Sequence, residues 1–324
     1  WAQSFGCRAG TLCGHSSSRG QNIGYSVAVN SEGPDDDYVY ITGTFLGVGV
    51  DFGPLGLVDP LGPDCFLTDE RHGGGTLPKR HGDVFLAKYD TTDGRCQWAK
   101  NFGDFQTDAG RGIAFDSYDN VYLTGQFKNT VDFDPDNLGV CRLSAARSNK
   151  YDVFLAKYDK AGKCEWALRV GKSTHIGDGD DAGYGIAVDN SSDNVYITGR
   201  FKSDPLEFIK LDGTVGQQLR RIGNKEDAFL AKYGLDGSFE WAHRFGGRYI
   251  DEGTGIAVDS LGYVYITGNF YVDHDSHRSW RRIVSFGHYA AGAVVDLKST
   301  NSTNDVFLVK YKTSGNEAVV EWAR

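Results

Sequence analysis

The stretch GIAVDNSSDNVYITG, from Gly185 to Gly199, decides the fold of this chain. It contains two short apolar runs, GIAV and VYITG, separated by Asp, Asn and Ser. Runs of β-branched and aromatic residues bounded by such turn-forming residues predict two β-strands joined by a tight turn. Two more apolar phrases follow, DAFLAKY from Asp227 to Tyr233 and a Trp-Ala pair at Trp241, and each predicts one further strand.

The same four phrases recur along the chain. The VYITG phrase or a near match begins at Val39, Val121, Val195 and Val264. The DVFLAKY phrase or a near match begins at Asp83, Asp152, Asp227 and Asp305. The Trp-Ala pair stands at Trp98, Trp166, Trp241 and Trp322. Four strands per repeat without helical spacing predict an all-β fold, a β-propeller of four-stranded antiparallel blades with the tryptophans in its core. The repeats cover about residues 24–103, 110–171, 183–247 and 253–324 of a single domain, residues 1–324.

These phrases resemble the SBBP repeat family, which is named for a seven-bladed β-propeller and whose repeat runs approximately GxSIAVDxxGNVYVTGxF and then DxFLAKYDxxGxxxWAxxFGG. The resemblance covers residues 24–324 and implies a propeller scaffold without a shared catalytic residue. Trp1-Ala2 and Phe5-Gly6 repeat the fourth phrase and predict one extra outer strand over residues 1–6. Either the natural chain continues into more blades, or this strand pairs elsewhere, including with a neighbouring subunit.

The composition and the net charge of the chain exclude some classes of partner. The net charge of -9 and the pI near 5.4 argue against attraction to nucleic acid or an anionic membrane surface. An apolar run of about 18 residues, the length of a membrane-spanning helix, is absent from the sequence. The sequence starts at Trp1 and has no methionine, which predicts a processed chain that has lost a signal peptide. We therefore expect a secreted protein, extracellular or at the cell surface.

The pairing of the cysteines can be predicted when the repeats are aligned with one another. Cys96 and Cys164 share one position before the tryptophan, and Cys65 and Cys141 share a second. In the other two repeats these positions are interpreted as apolar, namely Phe239, Val320, Ile209 and Val295. Two positions that are both Cys or both apolar are expected to touch, which predicts the disulfides Cys65–Cys96 and Cys141–Cys164.

The remaining cysteines, Cys7 and Cys13, are then left to pair across a short loop. A zinc site is the alternative interpretation of the six cysteines. It would need ligands from different blades, and the sequence has no CxxC pair.

Calcium is the candidate ligand of one acidic segment, although the predicted fold requires no cofactor. Asp132, Asp134 and Asp136 alternate in DFDPDNLG, like the start of a calcium loop. Leu143 stands where a helix-loop-helix site would need a bidentate Glu. The alternative is a turn role for these aspartates.

The long connections predict a working surface. The second-to-third-strand connections, about residues 46–82, 128–151, 202–226 and 271–304, and the connections between repeats emerge on one side. Basic residues recur in the former: Arg71, Lys79, Arg80, Arg142, Arg147, Lys150, Arg220, Arg221, Lys225, Arg278, Arg281 and Arg282, the last three around Trp280. Acidic residues recur in the latter: Asp104, Asp108, Asp178, Asp180, Asp181, Asp251 and Glu252. The two sets either neutralise one another or form a charged docking surface.

A further repeated position, Asn22, Asp108, Asp181 and Asp251, is expected to cap turns through side-chain to backbone hydrogen bonds. Two sequons, at Asn190 and Asn301, predict N-glycosylation in a eukaryotic secretory host.

The sequence lacks HExxH, GxSxG and a phosphate-binding glycine loop, which predicts that the chain is not an enzyme. The predicted function is a structural and interaction scaffold outside the cell, a subunit of a surface or filamentous assembly that binds itself or other surface proteins. The alternative function is a secreted propeller that binds or cleaves glycans.

Overall fold

The computed structural model describes residues 6–7, 22–31, 37–46, 50–53, 65–67, 82–104, 106–136, 140–146, 149–173, 179–271, 283–287, 295–298, 304–315 and 317–324. In this part of the chain the secondary structure consists of β-strands, without an α-helix. A helix that could span a membrane is accordingly absent from the same residues. The prediction of an all-β fold is confirmed.

In chain order the strands are β1 (Gly6–Cys7), β2 (Ile23–Ser31), β3 (Asp37–Phe45), β4 (Val50–Asp51), β5 (Phe66–Leu67), β6 (Asp83–Asp90), β7 (Cys96–Phe102), β8 (Ala109–Phe115), β9 (Val121–Phe127), β10 (Thr130–Asp132), β11 (Arg142–Ser144), β12 (Asp152–Tyr158), β13 (Cys164–Val170), β14 (Ala182–Asp189), β15 (Asn194–Phe201), β16 (Leu206–Ile209), β17 (Val215–Leu219), β18 (Asp227–Gly234), β19 (Phe239–Phe245), β20 (Asp251–Val258), β21 (Tyr263–Tyr271), β22 (Ile283–Phe286), β23 (Val295–Lys298), β24 (Asn304–Ser314) and β25 (Glu317–Ala323).

Each repeat forms one antiparallel sheet whose four strands are in sequence order. Sheet I is β2-β3-β6-β7, sheet II is β8-β9-β12-β13, sheet III is β14-β15-β18-β19 and sheet IV is β20-β21-β24-β25. The four predicted phrases therefore correspond to the four strands of each described sheet, while closure into a propeller and the total number of blades stay predictions.

The Thr and the Gly that end the VYITG phrase make the same contacts in each of the four sheets. In sheet III the Thr198 hydroxyl donates a hydrogen bond to the Phe229 carbonyl oxygen at 2.7 Å. A Cβ added to Gly199 would lie 2.0 Å from the Ala182 carbonyl oxygen, closer than a side chain can approach. The first strand bulges at the same place, between Gly183 and Gly185, so its backbone comes close to the second strand. The phrase therefore needs glycine here.

The sheets are stacked in chain order, and the core lies between them. At the junction of sheets II and III, Tyr122 and Leu155 of sheet II share one buried cluster with Ile186 and Ile197 of sheet III. We call the side of a sheet that carries the Leu155 position its back face and the side that carries the Ile186 position its front face. Equivalent clusters join sheet I to sheet II and sheet III to sheet IV. Among the described residues, the back face of each sheet thus packs on the front face of the next.

The second-to-third-strand connections are more ordered than the sequence predicts. Each was interpreted as a loop, but each carries a two-stranded antiparallel hairpin, namely β4-β5, β10-β11, β16-β17 and β22-β23. The hairpins bind the preceding repeat: Val170 at the end of sheet II pairs with Phe208, and Gly246 after sheet III pairs with Ser285. Their strands are only two to five residues long, too short to stand out from loop sequence.

The extra outer strand predicted over residues 1–6 is described only at Gly6, because residues 1–5 lie outside the described residues. Gly6 and Cys7 pair with Asp51 and Val50 of the hairpin in the first repeat, and not along the outer strand of a sheet. Gly6 is the glycine of its Phe-Gly phrase, as Gly246 is, and Asp51 occupies the position of Ser285. The pairing of Gly6 with Asp51 therefore reproduces the junction at which Gly246 pairs with the hairpin of the fourth repeat.

Candidate interaction surface

Two disulfide bonds attach hairpins to outer strands. Cys65 beside β5 is bonded to Cys96 at the start of β7, and Cys141 beside β11 is bonded to Cys164 at the start of β13. Both pairs are the ones that the repeat alignment selects. Cys13 lies outside the described residues, so its predicted pairing with Cys7 stays a prediction. The two bonds hold the hairpins of repeats I and II covalently to their own sheets.

The third repeat uses hydrogen bonds at the position of the disulfide. Ile209 was interpreted as the counterpart of Cys141, and this interpretation is wrong. In the hairpin of the third repeat, Phe208 pairs with Gln217. In the hairpin of the second repeat, the equivalent Phe133 N–H donates a hydrogen bond to the Cys141 carbonyl oxygen. Gln217 is therefore the counterpart of Cys141. The Gln217 amide donates to the Ala242 carbonyl at 2.7 Å and accepts from the Ala242 N–H at 3.0 Å. Two hydrogen bonds from a side chain to the outer strand thus attach the third hairpin, where the first two repeats use a disulfide bond.

The side of the sheets that carries the hairpins and the connections between repeats, here called the loop edge, is anchored by buried aspartates. The Asp181 carboxylate accepts hydrogen bonds from the N–H groups of Lys202 and Ser203, at 2.8 and 3.0 Å. Asp108 and Asp251 lie at the same position and also accept backbone N–H groups. The predicted turn-capping role of this position is confirmed, and these carboxylates tie the connections to the sheets.

A second row of aspartates, which the sequence analysis did not assign, lies beside the first. Asp152 and Asp227 start their third strands, are buried, and accept hydrogen bonds from Arg169 and Arg244. Burial raises the pKa of Asp227 to about 7 despite its arginine. Burial, and then the nearby charge of Asp152, raises the pKa of Asp181 to about 7.

The same raised pKa recurs at the other two junctions. Burial shifts the pKa values of Asp108 and Asp251 well above the ordinary range, and neighbouring aspartates add to each shift, Asp104 and then Asp83 for the former and Asp227 for the latter. Pairs of buried carboxylates at three successive junctions point to a pH-dependent stability of the loop edge.

The charged sets predicted on the loop edge partly neutralise one another. Lys150 forms an ion pair with Asp180 at 3.1 Å, from one repeat to the next. Arg220 lies 3.6 Å from Asp204 within the third repeat. These pairs are partly exposed and contribute little to stability. Arg278, Trp280, Arg281, Arg282 and Asn301 lie outside the described residues, so their roles stay predictions.

The three candidate calcium ligands have different partners. Asp132 accepts the Asp134 N–H at 3.1 Å, and Asp134 is buried and accepts the Cys164 N–H at 3.2 Å. Asp136 is exposed and forms an ion pair with Lys100 at 3.3 Å. Within the described residues, no group of three His, Cys, Asp or Glu side chains is arranged to hold a metal ion. The turn role explains Asp132 and Asp134, and calcium binding stays a prediction.

A polar groove lies on the opposite side of the sheets, which we call the turn edge, between sheets II and III. It has a volume of about 520 Å³. Its lining includes Asp116, Tyr118, Asn120, Asp193, Asp236 and Glu240. Asp116 closes its own turn by accepting N–H groups from Tyr118 and Asn120, which leaves the Tyr118 ring 71% exposed. Asn190 is exposed on the same edge and accepts the Ser117 N–H at 2.8 Å. Its glycosylation stays a prediction.

An apolar cleft of about 380 Å³ lies on the front face of sheet I. Its lining includes Tyr25, Val27, Ile41, Phe45, Val50, Phe52 and Phe85. This surface has no signature of its own in the sequence, because the same residue types are buried at the equivalent positions of the other repeats.

Comparison with known proteins agrees with this architecture. Residues 240–269, which run from the outer strand of sheet III into the second strand of sheet IV, match the family described as SBBP: Beta-propeller repeat. The chain thus contains a β-propeller repeat of the SBBP type. The SBBP match contains the GIAV and VYITG phrases and one Trp-Ala pair, and the other sheets repeat the same backbone features.

A curated relative of the chain is an uncharacterized WD repeat-containing protein of Acanthamoeba polyphaga mimivirus. The two are 24% identical over 246 residues, which cover 69% of this chain and 16% of the relative. The chain therefore spans only a small part of the curated relative's length, and both are proteins with propeller-type repeats.

Proposed function

We propose that this chain is a non-enzymatic interaction scaffold that works outside the cell, with sheets I to IV as blades of a propeller-type array. The observation that carries the proposal is the disulfide attachment of the hairpins at Cys65–Cys96 and Cys141–Cys164. Structural disulfides persist in oxidising compartments, and they rigidify connections that present a surface.

The buried aspartates of the loop edge support the non-enzymatic part of the proposal. Asp108, Asp181 and Asp251 are occupied by backbone N–H groups that hold the connections in place. All three carboxylates are also fully buried, so none of them can contact a substrate in solvent as a nucleophile or as a base. The repeated acids therefore serve the rigidity of the scaffold, whose hairpins meet the partner.

Alkylation of the protein purified without reductant from its source tests the extracellular part. Iodoacetamide modifies accessible free thiols, so in denaturant, where burial no longer protects them, Cys65, Cys96, Cys141 and Cys164 should remain unmodified until a reductant is added. Peptide mass spectrometry reads out each site. Modification of these four cysteines in the untreated protein would place the chain in a reducing compartment and refute this part of the proposal.

A second candidate function is glycan binding at the polar groove of the turn edge. Carboxylates, amides and an exposed ring, here Asp193, Asn120 and Tyr118, are the groups that contact sugars. A glycan array with the full chain tests it, and Tyr118→Ala should abolish any signal. Leu261→Ala is the matched control, because Leu261 stands at the same turn position in sheet IV, outside the groove.

Hydrolysis of p-nitrophenyl glycosides separates a scaffold from a glycan-cleaving enzyme. The scaffold proposal predicts no release of p-nitrophenol above the buffer rate. Turnover that is lost in the Asp236→Asn and Glu240→Gln variants would replace the scaffold proposal with a glycosidase at the groove.

A further inference from the structure

The first strand of each sheet contains a β-bulge near the loop edge. The pairing with the second strand shifts there by one residue, and the bulged residues of the four sheets are Tyr25, Arg111, Tyr184 and Thr254. The first strands of successive sheets are in contact, so the bulged residues of successive sheets are neighbours. A bulge re-aims a side chain and often lies beside a binding site, which makes this row of residues a candidate for recognition.

The fold restricts the residues beside Arg111 but not Arg111 itself. A Cβ added to Gly110 would collide with the Thr42 hydroxyl of sheet I, and a Cβ added to Gly112 would lie 3.0 Å from the Tyr184 carbonyl oxygen of sheet III. The bulged position holds Tyr, Arg, Tyr and Thr in the four repeats, so its residue type is not set by the fold. A position with repeated geometry and variable chemistry is a place where a scaffold can carry a site.

Arg111 contacts two tyrosine rings, one from each neighbouring sheet. Its guanidinium carbon lies 4.0 Å from the centre of the Tyr25 ring and 5.6 Å from the centre of the Tyr184 ring. Among the described residues the Arg111 side chain has no carboxylate partner, and its buried Nε atom makes no hydrogen bond. Arg200, which also lies over the Tyr184 ring, is by contrast paired with Glu252. The two rings hold the Arg111 guanidinium, and its N–H groups remain for a ligand.

A second cation of the same repeat, Lys128, follows β9 and has no ion pair within the described part of the chain. Its ammonium nitrogen lies 4.0 Å from the centre of the Tyr151 ring. Arg111 lies near the same tyrosine: burial and the charges of Asp108 and Asp180 raise the pKa of Tyr151, and the Arg111 charge opposes them. Asp180 is already ion-paired, and burial favours the protonated form of Asp108. The loop edge of sheet II thus presents two positive charges on a chain whose net charge is -9.

We propose that Arg111 and Lys128 bind the carboxylate groups of an acidic segment of a partner protein. A guanidinium matches a carboxylate through two parallel N–H···O bonds, and the lysine adds a second point charge. A protein segment fits better than an acidic glycan, because the tyrosine rings that could stack on a sugar already contact the two cations. This inference rests on the proposed scaffold function and deepens it by naming the chemical class of the partner.

Fluorescence anisotropy of a labelled hexaglutamate peptide, titrated with the full chain at neutral pH, tests the inference. A hexaglutamine peptide is the uncharged reference. We expect a Kd of about 10–100 µM for hexaglutamate and at least about tenfold weaker binding of hexaglutamine. Arg111→Gln should weaken the binding of hexaglutamate at least about tenfold and Lys128→Gln at least about threefold, because each substitution removes a charge-assisted contact.

Lys160→Gln is the matched control. It also removes one positive charge from sheet II, but Lys160 is exposed at the turn edge, between β12 and β13. The Kd of this variant should stay within about twofold of the parent value. Thermal unfolding checks the fold of every variant. Lys128 lies outside the strands, so Lys128→Gln keeps the test decisive even if Arg111→Gln is unstable.

Three outcomes overturn the inference. The first is equal affinity for the two peptides. The second is unchanged binding of hexaglutamate by a folded Arg111→Gln variant or, if that variant is unstable, by Lys128→Gln. The third is tighter binding of tetragalacturonate than of hexaglutamate, which would assign the site to an acidic glycan. Each outcome leaves the alkylation and glycoside tests unaffected, so failure of this site is distinguished from failure of the scaffold function.

Discussion

Replacing Asp181 by asparagine should stabilise the protein at neutral pH. The Asp181 carboxylate is fully buried, accepts the N–H groups of Lys202 and Ser203 through one oxygen, and faces the charge of Asp152. An amide can perform the same capping role, because Asn22 occupies this position in the first repeat and accepts the Leu46 N–H at 2.9 Å. The substitution thus keeps the cap and removes a buried charge.

The size and sign of the effect follow from the pKa of Asp181. Folding raises this pKa from 3.8 to about 7, so the folded state binds the proton more tightly than the unfolded state. The resulting stabilisation is fully present below pH 3.8 and is lost as the pH rises through about 7. A shift of about three units corresponds to roughly 4 kcal/mol, and local relaxation around the charge reduces the expected gain to about 2–4 kcal/mol.

Guanidinium unfolding of the parent and of Asp181→Asn, followed by tryptophan fluorescence at pH 3.5 and pH 7.5, measures this difference. The variant should be more stable by about 2–4 kcal/mol at pH 7.5 and nearly equal to the parent at pH 3.5. The control is Asp180→Asn, because Asp180 is partly exposed and pairs with Lys150 on the surface. It should change the stability by less than about 1 kcal/mol at either pH. A gain for Asp181→Asn that is the same at both pH values would refute the reasoning.

Three further substitutions test the repeated architecture. Gly199→Ala should destabilise the protein by about 3 kcal/mol or more, because the added methyl group meets a backbone oxygen. Gly24→Ala is the control and should cost less than about 1 kcal/mol, because a Cβ at Gly24 would have nothing within 4 Å. Equal melting temperatures for the two variants would disprove the close approach at Gly199. The double variant Cys141→Ala and Cys164→Ala should lose roughly 3 kcal/mol of unfolding free energy in guanidinium, and an unchanged midpoint would mean that the hairpin needs no covalent attachment. Gln217→Ala should cost about 1–2 kcal/mol in the same assay, since it removes two hydrogen bonds to the outer strand, and a neutral result would show that the third repeat holds its hairpin otherwise.

The strands could be predicted because their signal is local and repeated. The phrases at Val195 and Asp227 have the residue types of buried strands, and four internal copies remove the ambiguity of any single one. The hairpin strands escaped prediction because their pairing depends on contacts with another repeat, as Val170 shows by its pairing with Phe208. Short strands of this kind carry little signal of their own.

The candidate surfaces could be predicted only in part. The disulfide pairs could be predicted because the two cysteine positions of a repeat are both Cys in the first two repeats. The third repeat does not follow the expected pattern of two cysteines or two apolar residues, because the polar Gln217 stands at the position of Cys141. The Asp181 carboxylate lies near the charge of Asp152, which belongs to the preceding repeat. A local sequence pattern does not indicate such proximity between repeats. The exposure of Val27 was equally hidden, because its residue type is that of a buried strand and only the three-dimensional arrangement shows that no described sheet packs on it.

The central claim is that the chain is a stack of four-stranded propeller-type sheets, in which the back face of each sheet packs on the front face of the next. A crystal structure of the protein tests it most directly. We expect Leu155 of sheet II to share one buried core with Ile186 of sheet III, and we expect the same packing between sheets I and II and between sheets III and IV. A structure in which the back face of sheet II or of sheet III is exposed to solvent would contradict the claim.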